Sequence, residues 1–142
     1  MALLAAGVPT VRAADQAGEL AIETRGGAVH RFTVELALTP EQRQRGLMFR
    51  ERMAPDHGML FDFETPQPIV MWMRNTPLPL DMLFIDADGR IAGVAADTTP
   101  FSEAMIPSPR PVRFVLEVNA GTARQLGIAA GDRAVHRVLA PR

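Results

Sequence analysis

With 142 residues, 47% of them apolar and 22% charged, the chain is composed for one globular domain with a hydrophobic core. A net charge of −1 gives no electrostatic pull toward nucleic acid or anionic membrane, and the lack of cysteine excludes disulfides, thiol nucleophiles and zinc–thiolate sites. All 15 cations are arginine, which removes lysine chemistry, and His30, His57 and His136 stand too far apart for a histidine metal site, so neither metal nor cofactor is expected.

The chain opens on an apolar run, Met1 to Val11, followed by Arg12-Ala13-Ala14-Asp15. This resembles the apolar core and small-residue cleavage site of a signal peptide, although the basic start is missing. Residues 1–14 are therefore expected to be a leader remnant or an unstructured start, with 15–142 forming one exported, periplasmic domain. The run is too short to span a bilayer and no second one follows, so no transmembrane segment is expected.

Glu19–Thr24 and Val29–Leu38 alternate in hydrophobicity about Arg25-Gly26-Gly27-Ala28, the pattern of a β-hairpin. Thr39-Pro40-Glu41-Gln42 predicts a helix start, with Thr39 as N-cap, Pro40 in the first turn and Gln42 closing a capping box; Gly46 ends it. Gly58–Phe63 reads as a buried strand bracketed by Pro66 and Pro68, and Ile69–Arg74 as a further strand-like segment. Leu80–Asp86 and Arg90–Ala96 should pair across a turn containing Asp88-Gly89. Thr98–Pro111 is a proline loop and Val112–Val118 an alternating strand. Asn119–Thr122 predicts the cap of a second short helix stopped at Gly127, and Arg133–Leu139 is the last strand. The sum is a mainly β (α+β) fold: a single barrel- or sandwich-like sheet of about seven or eight short strands with two short helices.

Several blocks then follow in a fixed order: Arg45-Gly46-Leu47-Met48-Phe49-Arg50, Gly58–Phe63, Met71-Trp72-Met73-Arg74-Asn75-Thr76, Leu80–Asp86 with Gly89, and Val115-Leu116-Glu117 with Gly121. Together they resemble the DUF192 family (UPF0127), small bacterial and archaeal proteins that are often exported, from about Glu19 to the C-terminus. The resemblance implies a compact β-rich fold and export. It implies no activity and no catalytic residue.

The candidate site centres on Met71–Asp81, which holds the only tryptophan, an Arg-Asn-Thr run, two prolines and an aspartate. On a strand, Trp72 and Arg74 would share a face, either stacking a planar ligand or packing the guanidinium over the indole. Asn75 and Asp81 flank the proline-stiffened Thr76–Leu80 link, which would hold them for a ligand or for local turn bonds. Glu117, set in an apolar strand, needs an arginine (Arg45, Arg50 or Arg74) or a raised pKa. Arg45 could clamp a carboxylate or phosphate. Met71-Trp72-Met73, without histidine, is weak support for copper.

The expectation is a cleft lined by Trp72, Arg74, Asn75 and Asp81, with Glu117 and Arg45 behind it, binding a small-molecule, glycan or peptide ligand in a monomer or weak homodimer. A carboxylate-dependent hydrolase of a cell-envelope polymer is the alternative, with Asp81 and Glu117 as the catalytic pair across one cleft. A structural or interaction module without a small ligand is the third reading.

Overall fold

The computed structural model describes residues 17–139. The leader-like segment expected at residues 1–14 lies outside the described residues.

The glycine turn at Arg25–Ala28 closes β1 (Ala17–Glu23) on β2 (Val29–Ala37), with Gly27 at φ 90°. Helix α1 (Pro40–Arg45) then carries the chain back so that β3 (His57–Gln67) pairs parallel to β2. Its capping box forms as expected: Thr39 Oγ1 accepts from Gln42 N (3.1 Å), and Gln42 Oε1 accepts from Thr39 N (3.2 Å). A two-residue β4 (Val70–Met71) pairs with β7 (Ile106–Pro107) in a separate ribbon. The hairpin of β5 (Leu80–Ile85) and β6 (Ile91–Ala95) turns at Gly89, φ 91°. β8 (Val112–Asn119), α2 (Thr122–Leu126), β9 (Arg133–Val135) and a 3-10 turn (Arg137–Leu139) complete the described chain.

Seven strands form one sheet in the order β6-β5-β8-β3-β2-β1-β9, curled into a half-barrel. At one end its two edges meet: Ala134 N donates to Gly89 O (2.7 Å) and Ile91 N to Asp132 O (2.8 Å). Of the barrel-like and sandwich-like alternatives, the chain takes the first.

The central strands are buried on both faces, so β5 reads as one unbroken apolar run rather than an alternation. Inside the curl, Phe32, Leu60, Leu83, Phe114, Leu116 and Val118 form a core closed by Ala123, Ile128 and Leu139. On the outer face, Met59, Phe61, Met82, Phe84 and Val115 meet Leu47, Ile69 and Met73, which arrive from loops. Burying each such side chain contributes about 1.5–3 kcal/mol, so both covers are held firmly to the sheet.

Two local expectations are corrected. β3 runs through Pro66 to Gln67, because a register shift between Asp62 and Gln67, with Glu64 at φ 75°, breaks the ladder where a proline could not donate. Asn119 does not cap α2. Its Nδ2 donates to Met53 O (2.8 Å), and the cap comes from Asp81 on β5.

Candidate functional site

Two loops cover the outer face of the sheet and leave a gap between them. The first leaves α1 at Gly46, whose φ of 48° and ψ of −131° suit glycine; a Cβ there would also lie 3.0 Å from Phe61 Cζ. The second is Trp72–Thr76. It is a turn and not the expected strand: Thr76 N donates to Met73 O (3.1 Å), and Asn75 sits at φ 54°. Asparagine tolerates that left-handed conformation, and Pro77 keeps Thr76 extended, so pairing stops after Met71. The loops are bonded to each other through Phe49 N and Asn75 O (2.7 Å).

Between them lies a cavity of about 210 Å³, walled by Leu47, Met48, Phe61, Met71 and Trp72. An outer groove of about 350 Å³ continues from it past Phe49 and Asn75, and Arg45 and Arg74 line both. The Arg74 guanidinium lies 5.3 Å from the centre of the Trp72 ring, and that of Arg45 lies 5.7 Å from the centre of Phe49. The expected proximity of Trp72 and Arg74 is thus present, made by a turn rather than by strand parity.

Glu117 lines the inner end of the cavity, with 4% of its surface exposed. Its register partners are Met59 on β3 and Met82 on β5, which offer no hydrogen-bond donor of consequence. None of the expected arginines reaches it. Arg50 pairs with Glu35, Arg74 with Glu103 at 3.8 Å, and Arg45 rests on Phe49. Among the described residues Glu117 forms neither an ion pair nor a hydrogen bond, and burial pushes its pKa up to about 8. At neutral pH it is an uncharged carboxylic acid, with one O–H donor and one carbonyl acceptor directed at the cavity.

Asp81 is elsewhere. It lies opposite Val118, one residue out of step with the Met82–Glu117 pair, and therefore projects from the other face of the sheet. Fully buried, its carboxyl accepts from Asp97 N (3.0 Å), Gly121 N (3.2 Å) and Ala123 N (2.9 Å). It ties the start of α2 and the 97 loop to β5. The expected Asp81–Glu117 pair does not exist as a cleft, because the two carboxyls are separated by the sheet, and the hydrolase reading that needs them together fails with it.

Of the expected set, Trp72, Arg74, Arg45 and Glu117 therefore share the cavity, Asn75 borders its outer groove, and Asp81 is withdrawn. Phe49, which borders the outer groove, was not among the expected residues. Phe49 (64% exposed) and Phe101 (63%) both hold positive φ, and Phe101 N donates to Thr76 O (3.1 Å). Two bulky residues in left-handed backbone leave no pattern in the sequence. A more open depression of about 600 Å³ lies between β2 and α2, beside His30, whose Nε2 is buried without a partner.

Residues 21–136 match the family model DUF192, described as an uncharacterised ACR. None of the curated proteins compared with the chain matches it. Among solved structures, one from Sinorhizobium meliloti 1021, described provisionally as a transcription regulator, is 54% identical; the match covers 82% of this chain and 91% of that one, with a TM-score of 0.81. A second, of unknown function, from Novosphingobium aromaticivorans DSM 12444, is 37% identical over 84% of this chain and 85% of that one, also with a TM-score of 0.81.

Proposed function

The chain belongs to the DUF192 family, and we propose that it serves as a binding domain for a small organic ligand, held between the Gly46–Phe49 and Trp72–Thr76 loops. One observation carries the reading: the Glu117 side chain is almost wholly buried with no hydrogen-bond partner among the described residues, and it opens on a cavity with an indole in its wall. A polar group shut off from water without a partner costs about 1–3 kcal/mol, so a ligand that fills the cavity must supply this carboxyl with a hydrogen bond. Proline-braced backbone at Pro77 and Pro79 holds the Trp72 loop with little freedom left to lose. The regulator description of the S. meliloti protein is not carried over, because the net charge is −1 and the described residues, whose α-helices have six and five residues, hold no groove-reading helix. Export to the periplasm belongs to the same proposal and rests on the composition of residues 1–14. Among the described residues no helix is long and apolar enough to cross a membrane.

The test is a thermal-shift screen of the whole chain against sugars, short peptides and small organic acids, amides and amines, with Glu117→Ala beside it. A ligand at ~100 Kd adds about 2.7 kcal/mol to stability, which is a shift of several degrees. A dose-dependent shift in the wild type that is lost in a folded Glu117→Ala supports the reading. Hits that shift both proteins equally refute it.

A further inference from the structure

The charges around this cavity narrow the ligand class; the inference rests on the binding reading above. Three arginines line the cavity, but Arg43 is already engaged, donating to Leu38 O (2.8 Å) and Asp62 O (2.9 Å). Arg45 and Arg74 remain. Among the described residues Arg45 has no acidic partner within ion-pair distance, and Arg74 has only the exposed Glu103 at 3.8 Å. Each guanidinium is laid against an aromatic ring, Phe49 or Trp72, which orients its plane while leaving N–H groups available. The outer groove also carries the exposed acid Glu41, and Glu103 lies beside Arg74, so with Arg43 the opening holds three guanidiniums against two carboxylates and stays net positive.

At the other end the charge balance differs. The elements around Glu117 contribute Met59, Met82, Leu47 and Phe61, none of them titratable, and Glu117 itself is neutral below about pH 8. An ammonium entering here would pass two guanidiniums and find no negative charge at the floor. A second anion driven to the floor would lose its water with no cation to replace it. A neutral group with both a donor and an acceptor fits the floor, and an anion fits the mouth. We infer that the ligand is a small organic anion, gripped at its carboxylate or phosphate by Arg45 and Arg74, which reaches Glu117 with a neutral hydroxyl or amide end. The apolar wall of Leu47, Met48, Met71 and Trp72 suits the carbon skeleton between those ends.

The experiment is a fragment screen with equal numbers of monocarboxylates, phosphate monoesters, neutral esters or amides, and primary amines, matched in skeleton. Trp72, the only tryptophan, reports occupancy by fluorescence, and amide shifts at residues 46–49 and 72–76 confirm the place. Carboxylates or phosphate monoesters are expected to bind at least tenfold tighter than their neutral matches, and whichever arm dominates identifies the anion. In an Arg45→Gln/Arg74→Gln variant, whose exposed side chains leave folding intact by circular dichroism, the preference should fall below threefold. Neutral or amine fragments that bind the cavity as tightly as the anions would overturn the anion inference and leave the binding reading standing. Silence from all four arms at millimolar concentrations would overturn both.

Discussion

Glu117→Gln is the perturbation that tests the site most sharply, because it changes a proton and almost no volume. The Glu117 carboxyl, ordinarily near 4.5, is raised to about 8 in the fold by burial. The unfolded chain therefore ionises it near pH 4.5, while the native chain keeps the proton until about pH 8. Between these limits the unfolded state binds fewer protons than the native state, so stability falls as pH rises. Each pH unit in that window removes about 1.4 kcal/mol. The accumulated loss is about 3 kcal/mol at pH 7 and about 5 kcal/mol above pH 8, large against a total of ~5–15 kcal/mol for a domain. Glutamine has the same shape and no proton to lose. The variant should match the wild type at pH 4.5, exceed it by about 3 kcal/mol at pH 7, and hold a constant advantage above pH 8. The assay is urea unfolding followed by Trp72 fluorescence at several pH values. Comparison between the two proteins cancels other titrations, including that of His136, whose pKa burial lowers. A difference that stays flat across pH 4.5–8, or a glutamine variant less stable than the wild type at pH 7, would show that Glu117 has a partner in the folded protein and would sink the reasoning.

Asp81→Ala strands three buried backbone N–H groups and should cost on the order of 3 kcal/mol in chemical denaturation, with ligand affinity unchanged in the folded fraction, since the carboxyl faces away from the cavity. Gly46→Ala puts a methyl 3.0 Å from the Phe61 ring in backbone of φ 48°; a loss of about 1–3 kcal/mol in melting or urea experiments is expected, with a shift in Trp72 emission as the loop moves. Phe49→Gly and Phe101→Gly relieve left-handed strain of ~1–2 kcal/mol and give up rings already mostly in water, so unfolding midpoints should hold or rise. A fall of several degrees in either would mean that the ring is packed rather than presented.

What the sequence disclosed follows a physical division between local and non-local determinants. Gly26-Gly27, Asp88-Gly89 and Thr39-Pro40-Glu41-Gln42 act within a few residues through backbone conformation and capping, and each produced the element expected of it. Glu117 stood out because a carboxyl in Val115–Val118 has no local means of solvation. Where its missing partner would be sought could not be read, since arginine side chains reach in any direction and here bind Glu35, Glu103 and backbone carbonyls. Asp81 was misplaced for a related reason. Its face is decided by the register of β5 against β8, and a step of one residue moves a side chain to the other side of the sheet. Asn75, in a loop over the outer face, and Asp81, which projects from the inner face, are separated by the sheet although close in sequence. The Trp72–Thr76 turn could have been suspected from Asn75 and Pro77, but the Met-Trp-Met alternation imitates a strand.

Phe49 and Asn75 hold left-handed backbone at the mouth of one cavity, bonded to each other through Phe49 N and Asn75 O, and Phe101, also left-handed, donates to the neighbouring Thr76 O. The unpartnered buried carboxyl lies at the inner end of that same cavity. The other buried carboxylates are satisfied as ordinary packing demands: Asp81 by three N–H groups, Asp62 by Arg113 at 3.0 and 3.1 Å, and Asp132 by Arg25 N and Ala129 N. A sequence that solves the carboxylate problem at Asp81, Asp62 and Asp132 has the means to solve it at Glu117, where a leucine or methionine would pack between Met59 and Met82 with no electrostatic cost. Left-handed backbone at Phe49 and Asn75, the exposed Phe49 ring and an acid without a protein partner meet at one opening, and a ligand in the cavity accounts for the three together.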